Sequence, residues 1–489
     1  MYRLRKIIQL VSFLLFTALL FSYVKEIKIP VGIFLEADPL LVLSSIISSR
    51  SFQAALIYAL VITALTAILG RVFCGFLCPM GSVLDLTDKL FRRRRKKPAG
   101  ISAKPKYVIL YVLLIASLFG IQLTGWLDPI SMLVRVFSTV VIPYTAAAVD
   151  WIMRMLSGIP FLEDASGYVR INLIKGILRI GQFSYRGSVA ILLLFIAILS
   201  LGMIAPRLWC RMFCPLGALL GIISRKAPYR RSVSGACNSC GVCINKCPMG
   251  AISDNGRGTV DNECIRCFGC AGEYGKGAVK FGFGEPAKKY NSGITRKQFL
   301  LSSAAGVAFS LFLGRVNRAV AGVARLIRPP SVKDEEKYLA TCVRCGECVK
   351  VCPTGTLQQA MFETGLNGLW APFLSFSHGY CDYECNVCGR VCPVGAIKKQ
   401  QLSEKKKFII GKAYFDVNTC LPWAKGENCI VCEEMCPIPE KAIVLKKGKG
   451  KSGNEVLFPY VSSEKCIGCG VCEYRCPLKE NKGIRIFKV

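Results

Sequence analysis

Apolar positions crowd the first 205 residues of this chain, in four nearly charge-free stretches: Ile7 to Val24, Ala54 to Phe73, Tyr107 to Leu123 and Ser188 to Ala205. Each is near the length a helix needs to cross the hydrocarbon core, and a buried soluble helix rarely stays uncharged so long. The pattern predicts four transmembrane helices. Arg3, Arg5 and Lys6 precede the first, the basic run Arg92 to Lys97 separates the second and third, and Arg225, Lys226, Arg230 and Arg231 follow the fourth. The bias of Lys and Arg puts all three groups on the cytoplasmic side. Gly125 to Gly187 reads as a long outer loop, with Asp150 to Leu156 an amphipathic piece along the interface.

The apolar part contains a repeat. The second stretch ends Arg71-Val-Phe-Cys74-Gly-Phe-Leu-Cys78-Pro79-Met-Gly81, and the fourth ends Arg207-Leu-Trp-Cys210-Arg-Met-Phe-Cys214-Pro215-Leu-Gly217. On the opposite side Asp38-Pro39 follows the first stretch and Asp128-Pro129 the third. Each half therefore reads helix, Asp-Pro, helix, C-x-x-x-C-P, which suggests two related hairpins packed with pseudo-symmetry. An i, i+4 spacing puts both cysteines of a pair on one helix face. Bringing the pairs together would make a four-thiolate site for a metal or cluster from Cys74, Cys78, Cys210 and Cys214. The bland alternative is that they are small packing residues ahead of a helix-ending proline.

Beyond residue 232 the apolar pattern gives way to cysteine runs. Of the 27 cysteines, sixteen lie after residue 340 in four runs that each end Cys-Pro. They are Cys342, Cys345, Cys348, Cys352; Cys381, Cys385, Cys388, Cys392; Cys420, Cys429, Cys432, Cys436; and Cys466, Cys469, Cys472, Cys476. The first and last match C-x-x-C-x-x-C-x-x-x-C-P, in which three close thiolates grip one 4Fe-4S cluster and the fourth ligates its neighbour. Upstream come Cys237, Cys240, Cys243, Cys247-Pro248 and then Cys264, Cys267, Cys270, with Tyr274 where a fourth cysteine is expected. Under the same cross-ligation rule Cys247 completes the Cys264, Cys267, Cys270 set. The set Cys237, Cys240, Cys243 then lacks a thiolate, so it holds a 3Fe-4S centre, or a 4Fe-4S centre with Glu273, Tyr274 or water on the fourth iron. About six clusters are expected.

Zinc ribbons use two C-x-x-C pairs and have no place for a third and fourth cysteine in one run, and exported disulfide frameworks seldom pack thiols every third residue. Haem is excluded by the absence of C-x-x-C-H and by a single histidine, His378, read as an ordinary packed or surface residue. The formal charge of +33 invites a nucleic-acid reading. Much of it flanks apolar helices, however, where it sets topology and attracts anionic lipid, and six clusters at about −2 each remove roughly twelve units. The tract Lys446 to Ser452 is a solvated loop rather than a phosphate loop, because Leu445 stands where the first glycine must be.

Thr295-Arg296-Lys297-Gln298-Phe299-Leu300, a small-residue apolar stretch to Gly314 and Ala319-Val320-Ala321 read as an internal twin-arginine export signal with Lys for the second Arg. As a fifth anchor the stretch is short, and Ala319 to Ala321 doubles as a cleavage site. The domains expected are 1–232, a four-helix membrane domain; 233–285, a cytoplasmic two-cluster ferredoxin; 286–330, signal anchor and linker; and 331–489, a four-cluster ferredoxin in the periplasm. The fold class is membrane α-helical with α+β ferredoxin-like domains.

On these motifs residues 1 to about 285, with paired C-x-x-x-C-P and a two-run ferredoxin, resemble the NapH-type membrane ferredoxins. Residues 290 to 489 resemble the NapG/MauM-type ferredoxins, exported with a twin-arginine signal and carrying four cysteine runs. The resemblance implies a fusion of two subunits that oxidise menaquinol or ubiquinol at the bacterial inner membrane and pass electrons to a periplasmic reductase or cytochrome. It also implies that the four runs pair first with last and second with third. Quinol oxidation releases two protons, for which Asp38 and Asp128, with Glu36 in reserve, are the candidate acceptors; Asp-Pro is also a common helix start. Two other functions stay open: an accessory electron donor for metalloenzyme maturation, which the resemblance to assembly factors permits, and a transmembrane conduit driven by cytoplasmic ferredoxin. No flavin or molybdenum motif is evident, so terminal chemistry belongs to a partner.

Overall fold

The computed structural model describes residues 1–21, 32–91, 102–159, 161, 163–169, 172, 184–271, 278–284, 295–321, 326–450 and 453–488. The basic run at 92–97 and the residues Glu273 and Tyr274 lie outside these. Contacts divide the chain into two compact units. The first holds Met1–Phe137, Val189–Leu313 and Ala340–Cys345; the second holds Ser138–Ser188, Gly314–Leu339 and Gly346–Val489.

Helices form at all four apolar stretches: Tyr2–Phe21, Leu56–Leu69, Lys104–Leu118 and Ser188–Ser200. Only the first of these is long and apolar enough to cross a membrane. The second stops at Gly70, whose φ of +77° is open to glycine and strained for other residues. Two further helices meet the criterion of length and composition, Pro129–Leu156 and Arg296–Val316. The pattern had placed the former in a loop, because Arg135, Pro143 and Asp150 interrupt its hydropathy. Arg135 is nevertheless fully buried, Asp150 is buried and paired with Arg154, and Pro143 falls in the first turn of Ile142–Leu156, after a π-helical stretch at Phe137–Val141. The latter was read as short. Its Ala, Ser and Gly residues continue the helix to Ala321, and its start is capped reciprocally by the Thr295 and Gln298 side chains.

Among the described residues every sheet is a two-stranded antiparallel ribbon. In the first unit Tyr229–Val233 pairs with Val279–Phe283 and Ile252–Ser253 with Gly258–Thr259. In the second Leu357–Gln359 pairs with Pro372–Leu374, Lys412–Phe415 with Ile484–Phe487, and Ile443–Lys449 with Glu455–Val461. Ribbons this short carry too little apolar face to stand alone. They frame the cysteine loops, and the α+β character expected of the ferredoxin regions is present.

Candidate cluster sites and the buried membrane motifs

The cysteine runs share one local geometry. In the run at Cys342 the residues on either side of the second cysteine, Arg344 and Gly346, both have positive φ, at 56° and 83°. The same two positions are left-handed in the runs at Cys237 (Ser239, Gly241), Cys264 (Arg266, Phe268) and Cys466 (Gly468, Gly470). Such a curl turns successive backbone N–H groups toward one concavity, where anionic sulfur is stabilised. Four non-glycine residues accept the strain, which the surroundings must hold in place. The runs at Cys381 and Cys420 have a longer gap before the second cysteine, and neither shows the paired turn.

Which thiols stand together tells which runs would share a cluster. In the first unit a cavity is lined by Cys247, Cys264, Cys267 and Cys270, with Arg231, Ile265 and Phe281. Cys247 thus stands with the thiols of the second run. Burial and then the neighbouring thiols push Cys247 up to about 12, and burial pushes Cys270 up to about 11 despite Arg231. Thiols in such surroundings become thiolates when a cationic cluster core replaces their protons, and the donor set of each group fits that cofactor.

The second unit corrects the pairing that the resemblance implied. Cys352 stands with Cys381, Cys385 and Cys388, joining the first run to the second. Cys436 stands with Cys466 and Cys469, and Cys476 with Cys420, Cys429 and Cys432, joining the third to the fourth. Helices Val431–Glu434 and Val471–Arg475 pack together, which brings the last two runs into reciprocal reach. The Cys381 amide donates to the Cys469 carbonyl at 2.8 Å, so the Cys381 and Cys466 sets adjoin and the Cys420 set follows. Burial raises Cys381 to about 12 and Cys420 and Cys469 to about 11. His378 lies aside from these sets, its Nδ1 bonded to the Ser375 and Ser377 hydroxyls.

The C-x-x-x-C-P pairs converge. Cys78 and Cys214 are buried, and each lies close enough to Cys74 and Cys210 to feel their charge. Cys78 and Cys214 each accept the amide of the glycine three residues on, Gly81 and Gly217. The arginines that open the motifs are exchanged between them. Arg207 donates from Nη2 to the Gly81 carbonyl and from Nη1 to the Cys74 carbonyl, both at 3.1 Å. Arg71 lies with Nη2 2.8 Å from where a side chain on Gly217 would begin, and 3.9 Å from Cys74 Sγ. Both guanidiniums are 1% exposed. Asp85 neutralises Arg207, and Glu263 neutralises Arg71 together with Lys106. Cys74 and Cys210 pack on the same small core, Met249, Ala251 and Ile265, as Cys247, Cys264 and Cys267. Among the described residues no group of three or more His, Cys, Asp or Glu closes round a single ion.

Asp38 and Asp128 cap the helices Pro39–Ser49 and Pro129–Val136, each accepting two backbone N–H bonds at Oδ1. Sequence reasoning offered a helix start or a proton acceptor as their roles. The caps are present, and the two carboxyls, both 0% exposed, also meet each other. Glu36 ends the short helix Ile33–Glu36 and is partly exposed. The buried arginines Arg135 and Arg344 and the Glu263 cluster escaped the sequence reading, since isolated charged residues carry no periodic signal of their partners.

Helical apolar segments, short ribbons and cysteine sets drawn from paired runs define an iron–sulfur electron-transfer protein of ferredoxin type. The comparisons agree. Family models described as a 4Fe-4S binding domain match residues 51–98 with 188–234 and residues 337–358, and one described as a 4Fe-4S dicluster domain matches residues 425–479. The methylamine utilization ferredoxin-type protein MauM of Methylorubrum extorquens is 35% identical over 36% of this chain and 77% of its own length. The ferredoxin-type protein NapG of Escherichia coli is 33% identical over 36% and 76%, and an uncharacterized protein of Methanocaldococcus jannaschii 30% over 46% and 76%. The chain belongs to the NapG/MauM-type 4Fe-4S ferredoxins. No solved structure is similar to it.

Proposed function

We propose that this chain is a membrane-bound quinol dehydrogenase in which a NapH-type membrane part and a NapG/MauM-type ferredoxin are one polypeptide, delivering electrons to a periplasmic redox partner. One observation carries the reading: Cys74, Cys78, Cys210 and Cys214 converge at the end of the apolar helices, and Cys74 and Cys210 share a core with Cys247, Cys264 and Cys267. A redox centre held there would link the lipid phase to the cluster chain. The matched residues 51–98 and 188–234 contain these four cysteines and no others, which supports an iron–sulfur cluster over a single metal ion. Asp38 and Asp128 together accept a quinol proton. The test is to add menaquinol anaerobically to the oxidised protein in lipid nanodiscs and follow the clusters by low-temperature EPR. Reduction blocked by a quinone-site inhibitor is expected. Clusters that dithionite reduces and quinol does not would overturn the proposal in favour of a conduit driven by ferredoxin.

A further inference from the structure

We infer that Asp38 and Asp128 act as one carboxyl pair holding a shared proton, tied through Ser131 and Arg135 to the loop that carries Cys342 and Cys345. Reduction of the cluster on that loop then draws a proton onto the pair. The inference rests on the quinol reading only for the natural source of that proton.

A helix cap needs one carboxyl oxygen, and in both residues Oδ1 accepts both backbone bonds. Each Oδ2 is buried with no hydrogen-bond partner, and the two carboxyls lie close enough for each to bear on the other's charge. Like charges out of water cannot both ionise, so the pair holds a proton between them. A second polar group without a partner, the Thr124 hydroxyl, is fully buried on the turn Thr124–Leu127 that Asp128 ends.

The link to the cysteine loop is continuous. Asp128 Oδ1 accepts the Ser131 amide at 2.8 Å, and the Ser131 hydroxyl donates at 2.8 Å to the Val343 carbonyl, between Cys342 and Arg344. Arg135, one helical turn beyond Ser131, donates to the Arg344 carbonyl at 3.2 Å, and its charge is felt by Asp128 on one side and by Cys342 and Cys345 on the other. Arg344 is itself fully buried in the left-handed region, and its Nη1 donates to the Gln122 and Cys342 carbonyls. The charged group that faces the pair is Arg135, which in turn faces Arg344, Cys342 and Cys345, and Glu36 ends the short helix before Asp38.

When the cluster gains one electron, its added negative charge is no longer balanced by the two arginines; Glu347 on the same run is already paired with Lys350, and the aspartate pair at the end of the Ser131 and Arg135 links can accept a proton. The electron and the proton both come from a quinol hydroxyl in turnover, or from dithionite and water in a titration. An O–H bond forms at the pair, which passes from one proton to two.

The experiment is a quinone-free redox titration followed by EPR from mildly acidic to mildly alkaline pH, with the relevant signal identified by its loss in Cys345→Ser. In the unsubstituted protein the midpoint should fall by up to about 59 mV per pH unit, the equivalent of tenfold in proton activity for one electron. Asp38→Asn and Asp128→Asn keep a good cap and so should fold, and each should flatten the slope. A flat profile in the unsubstituted protein, or a slope surviving in both variants, overturns the inference. A sloped midpoint without quinol oxidation would overturn the function proposed above and leave this inference standing.

Discussion

Replacing Glu263 with glutamine isolates what holds the Cys264–Cys270 loop in place. Glu263 immediately precedes Cys264 and is 4% exposed. It accepts from Arg71 Nη1 at 3.2 Å, from Tyr107 Oη at 2.8 Å and from Lys106 Nζ, while Asn262 Nδ2 donates to Tyr107 at 2.9 Å. Glutamine keeps the shape and an acceptor but removes the charge, leaving Arg71 and Lys106 buried without their anion. Breaking a buried pair on one side costs about 3–5 kcal/mol, and retained hydrogen bonding argues for the lower end. A loss of ~3 kcal/mol in local opening free energy speeds exchange roughly a hundredfold, at 1.4 kcal/mol per tenfold. Hydrogen exchange by mass spectrometry on peptides spanning 262–270, in protein of unchanged iron content, reads this directly. Adding Lys106→Met should recover part of the protection, because one stranded charge is gone. Exchange within threefold of the unsubstituted protein would refute the reasoning.

Other outcomes follow from the same geometry. A Cβ on Gly75 would sit 2.3 Å from the Ile265 carbonyl, so Gly75→Ala should force the Cys264–Cys270 loop outward and broaden its EPR signal. Cys436→Ser should abolish the cluster held by Cys466, Cys469 and Cys472 and leave the Cys420 set intact, with Cys476→Ser doing the reverse; Mössbauer spectra of the two variants would expose a wrong pairing. Asp85 is held down at about 2 against burial by Arg207 and then Arg5. A depressed carboxyl stabilises the fold above its unfolded value near 4 and loses that contribution as pH falls toward 2, so Asp85→Asn should lessen acid sensitivity in a pH-melt. Tyr274→Cys should convert the spectrum of the Cys237, Cys240, Cys243 centre to that of a four-thiolate cluster, and an unchanged spectrum would contradict the missing-ligand assignment.

The cysteine spacing made the cluster sets legible in advance, because a cubane demands three thiolates at close intervals. Which run completes which did not follow from spacing: Cys352 and Cys392 are equally placed in sequence, and the folding of Val431–Glu434 against Val471–Arg475 decides the matter. The convergence of Cys74, Cys78, Cys210 and Cys214 was readable from the repeated phrase. The extent of the apolar helices was less so. Hydropathy counts Arg135 against a helix, whereas carbonyls of Gly125 and Arg344 receive its charge inside protein. Conversely the apolar stretch at Ala54 to Phe73 is broken by Gly70 and a π turn at Phe73–Leu77 that periodicity cannot foresee.

Arg71 reaches the second motif's glycine and Arg207 the first motif's, so each half of the repeat is completed by a side chain from the other. This is the contact pattern of an isologous dimer, where residue i meets residue j and j meets i, carried within one polypeptide. Neither half can close its own cysteine pair. A break in the connection between halves should therefore be tolerated when both fragments are co-expressed, and either fragment alone should either misfold or pair with a second copy of itself.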